Sequence, residues 1–110
     1  TTLNELARQS GVGMMIQEDA IPVKPSVKAA CEMLGLDPLY VANEGRFVAF
    51  VAARDAERAL SVLRSHPSCA GATLCGSVTA EKNTIVSLKN KIGSTRILDM
   101  LMGEQLPRIC

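Results

Sequence analysis

Apolar and polar positions along this chain follow two periods, and each change of period marks an element. Thr2-Leu3-Asn4-Glu5 has the spacing of a helix capping box and Gly11 offers a stop, which predicts a short helix over 3–10. Val12, Met14 and Ile16 then alternate at strand period, and Pro22 closes that strand. Pro25 suits a first helical position. Val27, Ala30, Cys31 and Leu34 come next at i, i+3, i+4 and i+7, a single helical face that Gly35 ends. Beyond Asp37-Pro38, residues 39–42 and 46–52 read as two strands joined by Asn43-Glu44-Gly45, a hairpin. Asp55 is placed to cap a helix carrying Ala56, Ala59, Leu60 and Leu63, which His66-Pro67 ends. Residues 72–78 and 84–88 read as further strands, and 95–101 as another, because a hairpin partner lies just upstream.

The order strand-helix-strand-strand-helix-strand, with a leading helix and additional strands, is the ferredoxin-like split βαβ arrangement, α+β in class. Nothing periodic remains after Gly103, so the chain divides into a domain over 1–102 and a tail over 103–110. Its 110 residues fit one domain. A chain of that size buries roughly 65% of its unfolded surface, enough for one core. Hydrophobic residues are 47% and aromatics 3%, without Trp, so that core must be aliphatic.

The net charge of +1 and pI near 7.6 give no electrostatic footprint for nucleic acid or an anionic membrane. With so few aromatics there is no platform for stacking bases. No apolar run approaches the roughly 18 residues of a membrane span, and no signal peptide is visible. A cytoplasmic location with reduced cysteines is therefore the expectation. The chain starts at Thr1-Thr2 without methionine, as expected of a processed protein or, better, of a domain excised from a longer one.

Candidate chemistry is sparse. One histidine, His66, and cysteines at 31, 69, 75 and 110 make no C-x₂-C pair, a poor set for structural zinc. Cys31, on an apolar helix face, and Cys75, inside a strand, read as small buried hydrophobes, while Cys69 falls in a loop. Gly11-Val12-Gly13 does not continue into a phosphate loop, since Ile16 stands where the third glycine belongs. Glu44, between Asn43 and Gly45, is either a solvated turn carboxylate or a general base aimed into a cleft. Cys110 is the terminal residue of GEQLPRIC. It reads either as the end of an unstructured tail or as a thiol carried on an arm. Gly103 can release that arm, and the seven residues after it reach roughly 23–25 Å when extended. Pro107 stiffens it and Arg108 supplies a steering charge.

The terminal PRIC with GEQL before it, AIPVKPSV at 20–27, CEMLGLDPLYVANEGR at 31–46 and GSTRILDMLMGEQLPRIC at 93–110 together resemble the HypE family. These are the carbamoyl dehydratases of NiFe-hydrogenase maturation, and the resemblance covers nearly the whole chain. The family shares its superfamily with aminoimidazole ribonucleotide synthetase, selenophosphate synthetase and thiamine monophosphate kinase. The resemblance implies a C-terminal α+β domain whose ATP-binding, Mg²⁺-binding N-terminal partner lies upstream of Thr1. On that basis the fragment alone is expected to hold no cofactor and to be inactive.

The resemblance also implies a reaction. A carbamoyltransferase, HypF, loads a carbamoyl group on the terminal thiol, here Cys110. The tail carries it to the ATP site, where the carboxamide oxygen is phosphorylated. Loss of phosphate and of the nitrogen's protons leaves a thiocyanate, and the cyano group passes to iron held by a HypC–HypD complex. The enzyme is expected to be a homodimer. An amide N–H is a weak acid, so a base must stand within hydrogen-bond reach. The resemblance gives that role to Glu44 in N-E-G and places Asn43, Gly45 and Arg96 about the cleft, with Pro107, Arg108 and Ile109 in the tail. Two other readings stay open: the C-terminal domain of a related kinase or synthetase, and a non-catalytic ferredoxin-like interaction module.

Overall fold

The computed structural model describes residues 1–100. The expected boundary at 102/103 lies outside the described residues, as do Pro107, Arg108, Ile109 and Cys110.

Helix α1 (Thr2–Ser10) opens the chain. Its N-cap is Thr1, whose carbonyl accepts the Glu5 N–H at 3.0 Å without a side-chain cap. Because the helix begins one residue before the expected start, Thr2 falls inside the first turn and the Thr2–Glu5 capping box does not form. The stop is as expected. Gly11 is left-handed at φ 65° and Val12 N–H reaches back to the Ala7 carbonyl at 3.1 Å. Helix α2 (Pro25–Leu34) starts on its proline and ends the same way, with Gly35 at φ 67° and Leu36 N–H on the Cys31 carbonyl at 2.9 Å. Helix α3 (Ala56–Arg64) comes directly after Asp55, but Asp55 gives it no side-chain cap. Its carboxylate is bound instead by Arg58 at 2.9 Å, with Arg54 at 3.6 Å, and makes no bond to the helix's free N–H groups.

One mixed sheet holds the molecule together. Strands β1 (Gly13–Gln17), β2 (Gly76–Thr79), β3 (Val86–Lys89) and β4 (Thr95–Ile97) lie in the order β2-β1-β3-β4. The β1–β3 pair is parallel and the two outer pairs are antiparallel. Met14 sits opposite Val86 and Ile16 opposite Leu88, so period-2 alternation on both central strands turns four apolar side chains to one face. Those four, with Ala7 of α1 and Leu98, form the core, and Leu3, Leu6 and Val12 pack around it. Helix α1 lies on β3, as the small side chain of the fully buried Ala7 permits.

The α+β class holds, but the central hairpin does not. Residues 39–42 and 46–52 enter no sheet. The reason is local: the Asp37 carboxylate accepts Leu39 N–H at 2.9 Å and the Asp37 carbonyl accepts Tyr40 N–H at 3.0 Å. This turn uses the first two N–H groups that a strand over 39–42 would need. Without that mate, residues 46–52 run unpaired, with Phe47 and Phe50 66% and 50% exposed. The apolar stripes of α2 and α3 are likewise only partly covered. Of the α2 stripe Cys31 alone is buried, and Leu34 is 71% exposed. Cys75 is half-buried, one residue before β2 begins, and Cys31, Cys69 and Cys75 are free thiols.

Candidate functional site

The loop carrying Glu44 leaves the turn at 37–40 and crosses the surface. Gly45 there has φ 69°, a left-handed conformation that a side chain would strain, with open space around its α-carbon. Asn43 folds back on its own loop, its Nδ2 donating to the Val41 carbonyl at 3.4 Å. Arg46 donates to the Pro22 carbonyl at 3.2 Å and so pins the loop to the stretch just beyond β1. Glu44 itself is exposed. Glu44 is thus a carboxylate exposed on a surface loop that Arg46 tethers.

Arg96 projects from β4, whose backbone at that position faces Leu88. Its guanidinium donates to Glu18 Oε1 at 2.6 Å and to Asp37 Oδ2 at 3.2 Å. The bond to Glu18 is the main cause that holds its pKa above the ordinary arginine value; partial burial opposes it, and the bond to Asp37 adds to the rise. Asp37 therefore serves twice, one oxygen capping the turn and the other receiving Arg96. The same stretch, 18–22, takes a third tie from Thr73 Oγ1, which donates to the Ala20 carbonyl at 2.7 Å. Arg96, Thr73 and Arg46 thus converge on one segment from three parts of the chain. Arg96 and the Glu44 loop are joined through that segment rather than to each other.

Sequence reasoning placed Arg96 near a cleft without naming its partners. Glu18 and Asp37 lie 78 and 59 residues away, and no local pattern connects them. It also passed over Asn4, whose Nδ2 donates to the Leu98 carbonyl at 2.8 Å inside the core. A signal was present: Asn4 interrupts an otherwise apolar face of Leu3, Leu6 and Ala7. Among the described residues no group of three or more His, Cys, Asp or Glu side chains is arranged to hold a metal ion. Nor, among them, is any helix long and apolar enough to cross a membrane.

Residues 1–89 match the family model "AIR synthase related protein, C-terminal domain". The carbamoyl dehydratase HypE of Azotobacter vinelandii is 56% identical over 109 residues, covering 99% of this chain and 32% of that protein. The HypE of Cupriavidus necator is 56% identical over 110 residues, covering 100% of this chain and 31% of that protein. A crystal structure of the hydrogenase maturation protein HypE superposes with a TM-score of 0.90 at 46% identity, over 100% of this chain and 36% of that one. A HypE–HypF complex superposes with a TM-score of 0.82 at 42% identity, over 88% of this chain and 31% of that one. The chain spans about a third of the length of the curated relatives it matches.

Proposed function

We propose, from the premise that this chain belongs to the family of AIR synthase related C-terminal domains, that it is the C-terminal domain of a HypE-type carbamoyl dehydratase. The observation that carries the reading is the 56% identity to a HypE protein over all 110 residues, through to Cys110. In this reading residues 1–102 form the domain and 103–110 the tail that presents the thiol. The ATP and Mg²⁺ sites belong to the other two-thirds of the full-length protein, so the fragment alone turns over no ATP.

The chemistry assigns each residue a need to meet. Cys110 sulfur holds the carbamoyl carbon. When the carboxamide oxygen leaves as phosphate, both protons on nitrogen must go, and the product is a thiocyanate on the same sulfur. Glu44 takes a proton from that nitrogen. Its exposed place on a tethered loop suits a base that waits for an incoming group. Asn43 and Gly45 shape the loop that carries it. Pro107, Arg108 and Ile109 make up the end of the arm, with Arg108 balancing the terminal carboxylate beside the thiol. The carbamoyl donor would be a HypF-type transferase and the acceptor of the cyano group a HypC–HypD complex. A cytoplasmic homodimer completes the reading.

The test is mass spectrometry of the full-length protein incubated with the carbamoyltransferase, carbamoyl phosphate and ATP. Cys110 is expected to gain the mass of one carbamoyl group and then lose that of one water. An unmodified Cys110 alongside an active transferase would overturn the reading. So would full activity in Cys110→Ala, the outcome that the interaction-module alternative requires.

A further inference from the structure

The loop that carries Glu44 is joined to the rest of the molecule by few contacts. At its start Leu39 and Tyr40 pack against the core. Beyond them residues 42–49 are all exposed and lie in no helix or strand. Gly45, directly after Glu44, restricts the backbone least of any residue. Among the described residues, one hydrogen bond carries this stretch to another part of the chain: Arg46 Nη1 donates to the Pro22 carbonyl at 3.2 Å, across 24 residues. The acceptor stands on a well-held segment. Ile21 packs against the core, and its N–H donates to the Glu18 carbonyl at 3.3 Å. Thr73 Oγ1 donates to the Ala20 carbonyl at 2.7 Å, and Arg96 holds the Glu18 carboxylate at 2.6 Å. The ring of Pro22 locks its own φ. A loop with a single polar tie thus meets a segment with several.

We infer that Arg46 is a positioning residue that holds Glu44 in place for proton transfer by bonding the loop to Pro22, a deepening that rests on the dehydratase reading above and on Glu44 as its base. A general base must lie within hydrogen-bond reach of the proton it takes. Arg46 is two residues from Glu44, so its bond to Pro22 fixes the backbone beside the carboxylate. Misplacing a reacting group by about 1 Å can cost roughly 100-fold in rate. Arg46 touches no reacting atom in this assignment and acts only through Glu44. Loading of the thiol uses no base at Glu44 and so does not depend on the tie.

The experiment is a double-mutant cycle in the full-length protein. Loading of Cys110 by the transferase and single-turnover dehydration of preloaded protein are each tracked by mass for Arg46→Met, Glu44→Gln and the pair. Arg46→Met keeps the aliphatic stem of an exposed residue and removes the donor. It is expected to slow dehydration about 10-fold or more, up to the scale of a 1 Å misplacement, while loading keeps its rate. In the Glu44→Gln background the same substitution is expected to slow dehydration no further, because no base is left to place. Arg46→Lys, which restores a donor, is expected to recover most of the wild-type rate. Normal dehydration in Arg46→Met when Glu44→Gln is slow overturns the inference. So does a further loss of similar size in the double variant, which a direct contact of Arg46 with substrate or a general loosening of the domain would give. Normal dehydration in Glu44→Gln removes the base and the inference with it. If wild-type Cys110 is never loaded, the dehydratase reading itself fails, an outcome distinct from the others.

Discussion

Two residues illustrate how far single positions could be read. Glu44 drew attention in the sequence because a carboxylate between Asn and Gly suits a turn tip; in the structure no hydrogen-bonded turn forms there, and Glu44 lies exposed on a loop tethered through Arg46. Its role is testable alone. In full-length Glu44→Gln the carbamoyl adduct should form at the normal rate and accumulate, with dehydration slowed by at least about 100-fold, the scale of a lost general base. Mass spectrometry of the adduct over time reads both numbers, and dehydration at the normal rate would return Glu44 to a plain turn residue. Arg96 was visible only as a charge, because its meaning lies in Glu18 and Asp37, which distant parts of the chain bring to it. Gly76 was not singled out at all. A β-carbon there would meet the Met15 carbonyl and Ile16 across the β1–β2 pair. Gly76→Ala should therefore cost about 1–3 kcal/mol by overpacking, measured as a fall in the urea midpoint at constant m-value.

At the level of elements, what succeeded was what local chemistry decides. Helices α1 and α2 end at left-handed glycines because those positions need a positive φ, and Gly11 and Gly35 were legible for that reason. Helix starts were less legible. Thr2 and Asp55 had the right chemistry, but one fell inside the helix and the other was drawn to Arg58. The failed hairpin has a similar origin: Asp37 turns the chain at 37–40 and takes the N–H groups of Leu39 and Tyr40, half of those that 39–42 would have brought to a strand. The strands that did form bury Val86 and Leu88 almost completely. Leu88→Ala should cost about 2–5 kcal/mol, since the β1–β3 pair and α1 close round it and leave a cavity. The same substitution at the exposed Ile97 should cost less than about 1 kcal/mol, and chemical denaturation of the two variants side by side checks the contrast.

For the molecule as a whole, the radius of gyration is 14.8 Å, against about 13 Å for a compact domain of this length. The excess goes with an apolar surface left open. Phe47, Val48 and Val51 of the unpaired segment and Val62 of α3 are about half exposed or more. Exposed apolar side chains of this kind are expected to favour association between copies of the isolated fragment. For the isolated fragment, Phe47→Asp should raise the monomeric fraction in sedimentation while moving the unfolding free energy by less than about 0.5 kcal/mol. Sequence by itself determined the α+β class, the glycine stops, the alternation of the central strands, the aliphatic core and the resemblance carried by the terminal motif. These depend on neighbours in the chain, where residue spacing and backbone preference act directly. Only the tertiary structure decided that the middle strands do not pair, that Arg96 is held by Glu18 and Asp37, and that Asn4 reaches across 94 residues to the carbonyl of Leu98. Those outcomes turn on which distant polar group arrives to satisfy a donor or acceptor, a competition that sequence spacing does not express.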